Sequence, residues 1–232
     1  MGVIGHGYGS EWQMLRYLGR HRRALTAAIA GSRGSTGIDW LDFPFDAKNR
    51  FHDAEWKGLD FLPPEHSAVL EHWKHEWPQT GNVMNWDAVG WATTAEGPEL
   101  ILVEAKSHLA EVNSECGAKE IGGLPKIRRF LDQAKQSYGV PIEADWLKPH
   151  YQYCNRLAML AFLSAHGIPA HLVFLYLTGD CVPGAKCPPA ASGWQPTLAA
   201  MKSRIQLPPA HPLEHVHEVF LPVVAMPSPD GD

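Results

Sequence analysis

Between Val83 and Leu109 the chain reads VMNWDAVGWATTAEGPELILVEAKSHL, and this stretch limits the fold more tightly than any other. Asp87 to Thr94 alternates around Val and Trp, Ala95 to Pro98 supplies Glu-Gly-Pro turn residues, and Leu100 to Val103 is a continuous apolar run. The pattern predicts two β-strands joined by a turn, the second of them buried. That second strand then breaks its own pattern with Glu104 and Lys106. Residues two apart leave the same face of a strand, so an acid and an amine share a face at the end of a buried segment. Charge buried there needs a partner or a task.

Pairing of the two strands brings Asp87, near the start of the first, beside Glu104 at the end of the second. Two carboxylates converging on the backbone carbonyl of Ala105 form an all-oxygen site suited to Mg²⁺ or Mn²⁺, and the Lys106 ammonium can hold or polarise a water beside such an ion. That donor set suits phosphodiester hydrolysis. The order Asp87, hairpin, apolar strand, Glu104-Ala105-Lys106 resembles the PD-(D/E)xK nuclease superfamily, with Trp86 standing where the signature has proline. The resemblance implies a restriction-endonuclease-like core, a metal held by Asp87, Glu104 and the Ala105 carbonyl, and Lys106 as a catalytic amine. It also implies an extra carboxylate from a preceding helix, for which Glu71 is chosen over Glu76 and Glu11, and a helper of the Gln152 type on the helix that follows the Glu-x-Lys strand.

A chain of 232 residues with 45% hydrophobic and 19% charged residues builds one substantial core. No apolar run approaches a membrane span, and MGVIGHGYGSEW lacks the apolar centre of a signal peptide, so a cytoplasmic protein is expected. A net charge of -5 argues against broad affinity for nucleic acid and leaves local patches to contact phosphates. Cys116, Cys154, Cys181 and Cys187 form no CxxC pair and read as free thiols, with a Cys181–Cys187 disulfide or metal clip as the alternative.

In chain order, Ser10 caps a predicted helix that Gly31 stops, and its polar face carries Arg20 and Arg23. Gly31 to Pro64 is irregular, with a short strand predicted from Asp39 to Phe45; its Lys48 and Arg50 carry no sharp signal. A second helix runs from Pro64 to about Trp77, with Trp73 and Trp77 on one face. Leu124 to Tyr138 is an amphipathic helix whose Arg128 and Arg129 form a second basic patch. His150 to His166 is a long helix with a wide apolar face, yet it opens with Gln152, Asn155 and Arg156. Ala170 to Thr178 is the most hydrophobic strand, and strand–helix–strand implies a parallel crossover. A short helix from Gln195 to Arg204 and a last strand from His215 to Val224 follow. His211, His215 and His217 form a loose cluster that no carboxylate or cysteine arrangement completes, and a histidine-bound zinc hydrolase is the most distant alternative.

The reading is therefore an α/β domain with a central mixed sheet flanked by helices. Residues 1–64 form an N-terminal helix and extension, 65–180 a nuclease-like core with an insertion at 113–149, and 181–232 a C-terminal extension, all in one compact unit. The expected function is a Mg²⁺- or Mn²⁺-dependent nuclease with catalytic Asp87, Glu104, Lys106 and Gln152. Arg20, Arg23, Arg128, Arg129, Asn155 and Arg156 would contact nucleic acid, DNA before RNA. The competing reading is a non-catalytic binding or structural module on the same scaffold. Oligomeric state is open, a homodimer included.

Overall fold

The computed structural model describes residues 7–33, 37–46, 52–81, 83–208 and 213–224. Helices α1 (Ser10–Arg20) and α2 (Arg22–Arg33) are followed by β1 (Ile38–Trp40), the short pair β2 (Phe45–Asp46) and β3 (His52–Asp53), and β4 (Trp56–Lys57). After a 3-10 turn at Pro64–His66 come α3 (Ser67–Glu76), β5 (Asn85–Trp86), β6 (Ala88–Thr94) and β7 (Gly97–Lys106). A 3-10 turn at Leu109–Val112 leads to α4 (Leu124–Ser137), α5 (Tyr151–Ala165), β8 (Ala170–Thr178), α6 (Ala191–Arg204) and β9 (Val216–Pro222).

The architecture is α/β. A five-stranded mixed sheet has the order β1-β6-β7-β8-β9; β1, β6 and β7 are antiparallel, while β7, β8 and β9 run parallel. β7 and β8 carry continuous apolar runs, Leu100–Val103 and Leu172–Leu177, because both of their faces are covered there. Leu100, Leu102, Leu172 and Phe174 pack with residues of α3, α4, α5 and α6, whereas Ile101, Val103, Val173 and Leu175 pack with those of α1 and α2. The segments read as extensions are thus layers of this fold: the N-terminal helices cover one face, β1 forms one edge, and β9 forms the other.

The strand expected from Asp39 to Phe45 is the shorter Ile38–Trp40, the helix expected from Gln195 begins at Ala191, and the N-terminal helix differs in three ways. The first helix is two helices, because His21 leaves helical geometry at φ -125° and ψ 28°, its N–H still closing on the Tyr17 carbonyl at 2.9 Å. The break redirects the chain so that Met14 and Leu18 before it and Leu25 and Ile29 after it reach the same core. Ser10 lies inside the first turn, with Gly9 at the cap, and its hydroxyl donates to Glu111 Oε1 at 3.2 Å. Gly31 does not stop the second helix, which runs to Arg33 while the Ser32 hydroxyl bonds back to the Ile29 carbonyl at 2.7 Å. Lys48, Arg50 and His211 lie outside the described residues.

Trp73 is fully buried and closes over Gly58, which has φ +53°. A Cβ built on Gly58 would lie 2.1 Å from Trp73 Cη2. Gly58→Ala is therefore expected to cost about 2–4 kcal/mol, from overpacking together with the left-handed backbone. Urea denaturation measures it, and an unchanged midpoint would mean that the indole has room to move.

Candidate active site

The hairpin register builds the site. β6 and β7 pair from Thr94↔Gly97 to Ala88↔Val103, and the Asp87 N–H still reaches the Val103 carbonyl at 3.2 Å. There the ladder stops. Trp86 turns away, donating its buried indole N–H to the Gly58 carbonyl at 2.8 Å, and β5 pairs with β4 instead. The next ladder donor on β7, the Ala105 N–H, is taken by the Asp87 carboxylate, Oδ2 at 2.7 Å. A side chain thus replaces a strand, and the Ala105 carbonyl, which leaves the same edge as its N–H, lies on the Asp87 side.

Glu104 and Lys106 flank Ala105 and project to the side of the sheet that α5 covers. Glu104 is 2% exposed. Its Oε1 accepts from the Lys106 ammonium, and its Oε2 accepts from Arg156 Nε at 2.8 Å, with Nη2 of the same ion pair 2.7 Å away. Lys106 donates also to Gln152 Oε1 at 2.9 Å, and the Gln152 backbone N–H is anchored on the Ser114 hydroxyl at 2.7 Å. Asp87, Glu104, Lys106 and Gln152 are therefore brought into one constellation by β6, β7 and α5.

The charges act on each other. Burial, then the Glu104 charge, pushes the Asp87 carboxyl well above the usual carboxylate range, with Lys106 opposing and Glu55 adding to the rise. Burial also works against ionised Glu104, but the Arg156 and Lys106 charges outweigh it and hold that carboxyl below its usual value. Lys106 is treated the opposite way: burial would lower it, yet Glu104 and Asp87 raise it, so its ammonium keeps its proton. The centre contains one carboxylate satisfied by two cations and a second that suffers from its neighbour.

A cleft of about 510 Å³ opens beside Asp87, lined by Glu11, Met14, Leu15, Glu55, Lys57 and Asn85 among others. Beside Glu104 and Lys106 is a small recess of about 10 Å³, bordered by Glu111, Gln152, Tyr153 and Tyr176. That is room for about one water.

The other expected residues fall elsewhere. Glu71 is exposed on α3 and pairs with Lys74 at 3.2 Å, while Glu76 pairs with Arg129 at 2.7 Å. α3 turns Trp73 into the core and leaves Glu71 on the exposed side, paired with Lys74 and not lining the Asp87 cleft. Glu11, on α1, lines the Asp87 cleft. Asn155 and Arg156 are buried, at 5% and 4% exposure, and cannot meet a nucleic acid as the sequence reading had it. Arg156 instead bonds Glu104, Asn155 Oδ1 and the Asn85 carbonyl, with its guanidinium 4.8 Å from the Trp86 ring centroid. Arg128 pairs with Glu120 at 2.8 Å. Arg20 and Arg23 are exposed on α1 and α2.

Glu55 and Glu111 escaped the sequence reading. β4 is two residues long, too short for any periodicity to announce Glu55. Glu111 did leave a signal, His108-x-x-Glu111, which is a capping box on the 3-10 turn; its carboxylate takes the Ser107 and His108 N–H groups.

Among the described residues no group of three or more His, Cys, Asp or Glu side chains is gathered around one point as a metal site. Asp87, Glu104 and the Ala105 carbonyl offer two carboxylates and one carbonyl, a set that fits Mg²⁺, which keeps several waters and takes only one or two carboxylates. No helix among the described residues is long and apolar enough to cross a membrane. No protein-family model, curated protein or solved structure matches the chain.

Proposed function

We propose that the chain is a divalent-metal-dependent nuclease, its sheet a restriction-endonuclease-like core and its substrate a phosphodiester of DNA before RNA. The observation that carries this reading is the meeting of Asp87 and Glu104 around Ala105, close enough for one carboxylate to disfavour ionisation of the other. Carboxylates crowded in this way are relieved by a cation. Mg²⁺ or Mn²⁺ held there would act as a Lewis acid and lower the pKa of a bound water.

The protein's own groups do the rest. Asp87 is fixed by the Ala105 N–H through Oδ2, which leaves Oδ1 for a ligand. Gln152 holds the Lys106 ammonium beside Glu104, so a positive charge and its protons stand ready next to the carboxylates. Such a fixed ammonium can orient a water or stabilise charge developing on a phosphate. Glu11, Glu55 and Lys57 line the cleft on the Asp87 side, and Lys57 is the cation on that wall suited to a phosphate. Free Cys116, Cys154, Cys181 and Cys187 suit a reducing, cytoplasmic setting.

One observation favours the alternative, a binding or structural module without turnover. Both Glu104 oxygens are already occupied by cationic side chains, so the network is complete without a metal. Incubating DNA and RNA with the chain in Mg²⁺, Mn²⁺ or EDTA separates the two. The nuclease reading expects cleavage that EDTA abolishes and that Glu104→Gln lowers by about 100-fold or more. Calorimetric titration with Mn²⁺ should show binding that the same variant loses. No heat with Mn²⁺ and no cleavage of either nucleic acid would leave the module.

A further inference from the structure

At the opposite end of β7 a second constellation spans three adjacent parallel strands. Glu99 lies near the start of β7, His171 near the start of β8 and His217 near the start of β9, and the register Ile101↔His171 and Val173↔His217 puts all three on the face covered by α1 and α2. Five residues of strand separate Glu99 from Glu104, about 16 Å at the usual rise. His171 Nδ1 lies 2.9 Å from His217 Nε2, and His171 Nε2 lies 3.2 Å from Glu99 Oε2. The ring of His215, an exposed residue, stands 4.9 Å from that of His171, edge to face. The sequence placed His215 and His217 together but supplied no carboxylate; the fold supplies Glu99, 72 residues before His171.

The carboxylate decides the chemistry of the pair. An ionised carboxylate only accepts hydrogen bonds, so Nε2 is the protonated nitrogen of neutral His171, and its Nδ1 presents a lone pair toward His217. A carboxylate behind one imidazole nitrogen, with the other nitrogen turned to a shared point, is the arrangement that orients a metal-binding histidine. Two nitrogens on a tetrahedral Zn²⁺ stand about 3.3 Å apart, given Zn–N bonds of 2.0–2.1 Å. At the observed 2.9 Å the His217 Nε2–H donates to His171 Nδ1, so binding a cation needs the His217 proton on its other nitrogen and both rings turned from each other toward a shared point. The backbones that carry them are paired strands, so little ordering is needed to bind.

We propose that His171 and His217 are the preformed half of a site for a borderline divalent cation that favours imidazole, Zn²⁺ before Ni²⁺, with Glu99 orienting His171 and His215 or water completing the coordination. The proposal stands apart from the nuclease reading. Among the described residues no third His, Cys, Asp or Glu is gathered with the two imidazoles as a metal site.

The test is titration of the full chain, stripped with a chelator and dialysed, with Zn²⁺ by calorimetry and with Co²⁺ by visible absorption. One site is expected, with the intense bands of tetrahedral Co²⁺. His217→Ala should weaken Zn²⁺ binding by about 100-fold, Glu99→Gln by about 10- to 100-fold, and His215→Ala by less than His217→Ala. Asp87→Asn should leave this site unchanged. If His171→Ala fails to fold, His217→Ala on the edge strand and Glu99→Gln carry the test. A second imidazole pair, His72 Nδ1 and His166 Nε2 at 2.7 Å, lies between α3 and α5. Binding that is absent from the parent chain, survives His217→Ala, or disappears only in His72→Ala or Asp87→Asn overturns the proposal.

Discussion

An Arg156→Met chain is expected to be about 3–5 kcal/mol less stable than the parent at pH 7. The loss is not the worth of an ion pair; it is the cost of what remains. Glu104 would stay at 2% exposure with Lys106 as its cationic partner, and the Asn85 carbonyl and Asn155 Oδ1 would each lose a donor. The sign with pH follows from the shift. In the parent, Glu104 titrates below the ordinary 4.5, so its contribution is present above that pH and is lost as pH falls through the lower folded value. Without Arg156, burial is no longer outweighed and the folded value moves up. Stability of the variant then improves relative to the parent on acidification, because a protonated Glu104 no longer needs the guanidinium. Guanidinium chloride melts at pH 7 and pH 4.5 measure both effects. The double variant Arg156→Met/Glu104→Gln should recover much of the loss, since the stranded charge is gone. A single-variant loss under about 1 kcal/mol, or a double variant that merely adds the two losses, would show that the network does not hold this end of the sheet together.

The same residue shows where letters stop being informative. Glu104 and Lys106 are two positions apart, so strand periodicity alone puts them on one face, and the two-residue turn at Ala95–Glu96 then fixes which residue of β6 meets them. Asp87, Glu104 and Lys106 were legible for that local reason. Arg156 lies 52 residues from Glu104, on a helix that could present its first turns to solvent or to the sheet. Composition gave no way to choose, and an arginine near a helix start reads as a surface cation. α3 posed the converse problem: the Trp73 and Trp77 spacing marked the buried face, yet which acid reached the site depended on how that face met the sheet. The helices α4 and α5 and the strand β8 were plain because long apolar periodicities survive any tertiary arrangement. The break at His21 was not, since apolar spacing resumes beyond Arg20-His21-Arg22 and only the packing of both helices on one core sets them apart. β4, which brings Glu55 to Asp87, is set by two hydrogen-bonded residues and leaves no trace in the pattern.

Asp87→Asn is expected to abolish metal-dependent cleavage while making the metal-free protein more stable at pH 7, by about 1–2 kcal/mol. The amide keeps the side-chain oxygen that accepts the Ala105 N–H, so the hairpin end need not move. What disappears is a carboxylate that burial and Glu104 together disfavour. A raised folded pKa means that the favourable contribution of Asp87 is fully present below its unfolded value of about 3.9 and is lost as pH rises through the raised folded value. The advantage of the variant should therefore grow from acid toward neutral pH and shrink again as the parent takes up its proton. Added Mg²⁺ should reverse the order: at ten times its dissociation constant it stabilises the parent by about 1.4 kcal/mol, and the variant by much less. Thermal melts in EDTA and in Mg²⁺, run beside a cleavage assay, give all three readouts. If the variant is less stable than the parent in EDTA at pH 7, the two carboxylates do not repel. If Mg²⁺ stabilises both chains equally, the ion binds somewhere other than Asp87, and retained cleavage would remove this side chain from the chemistry altogether.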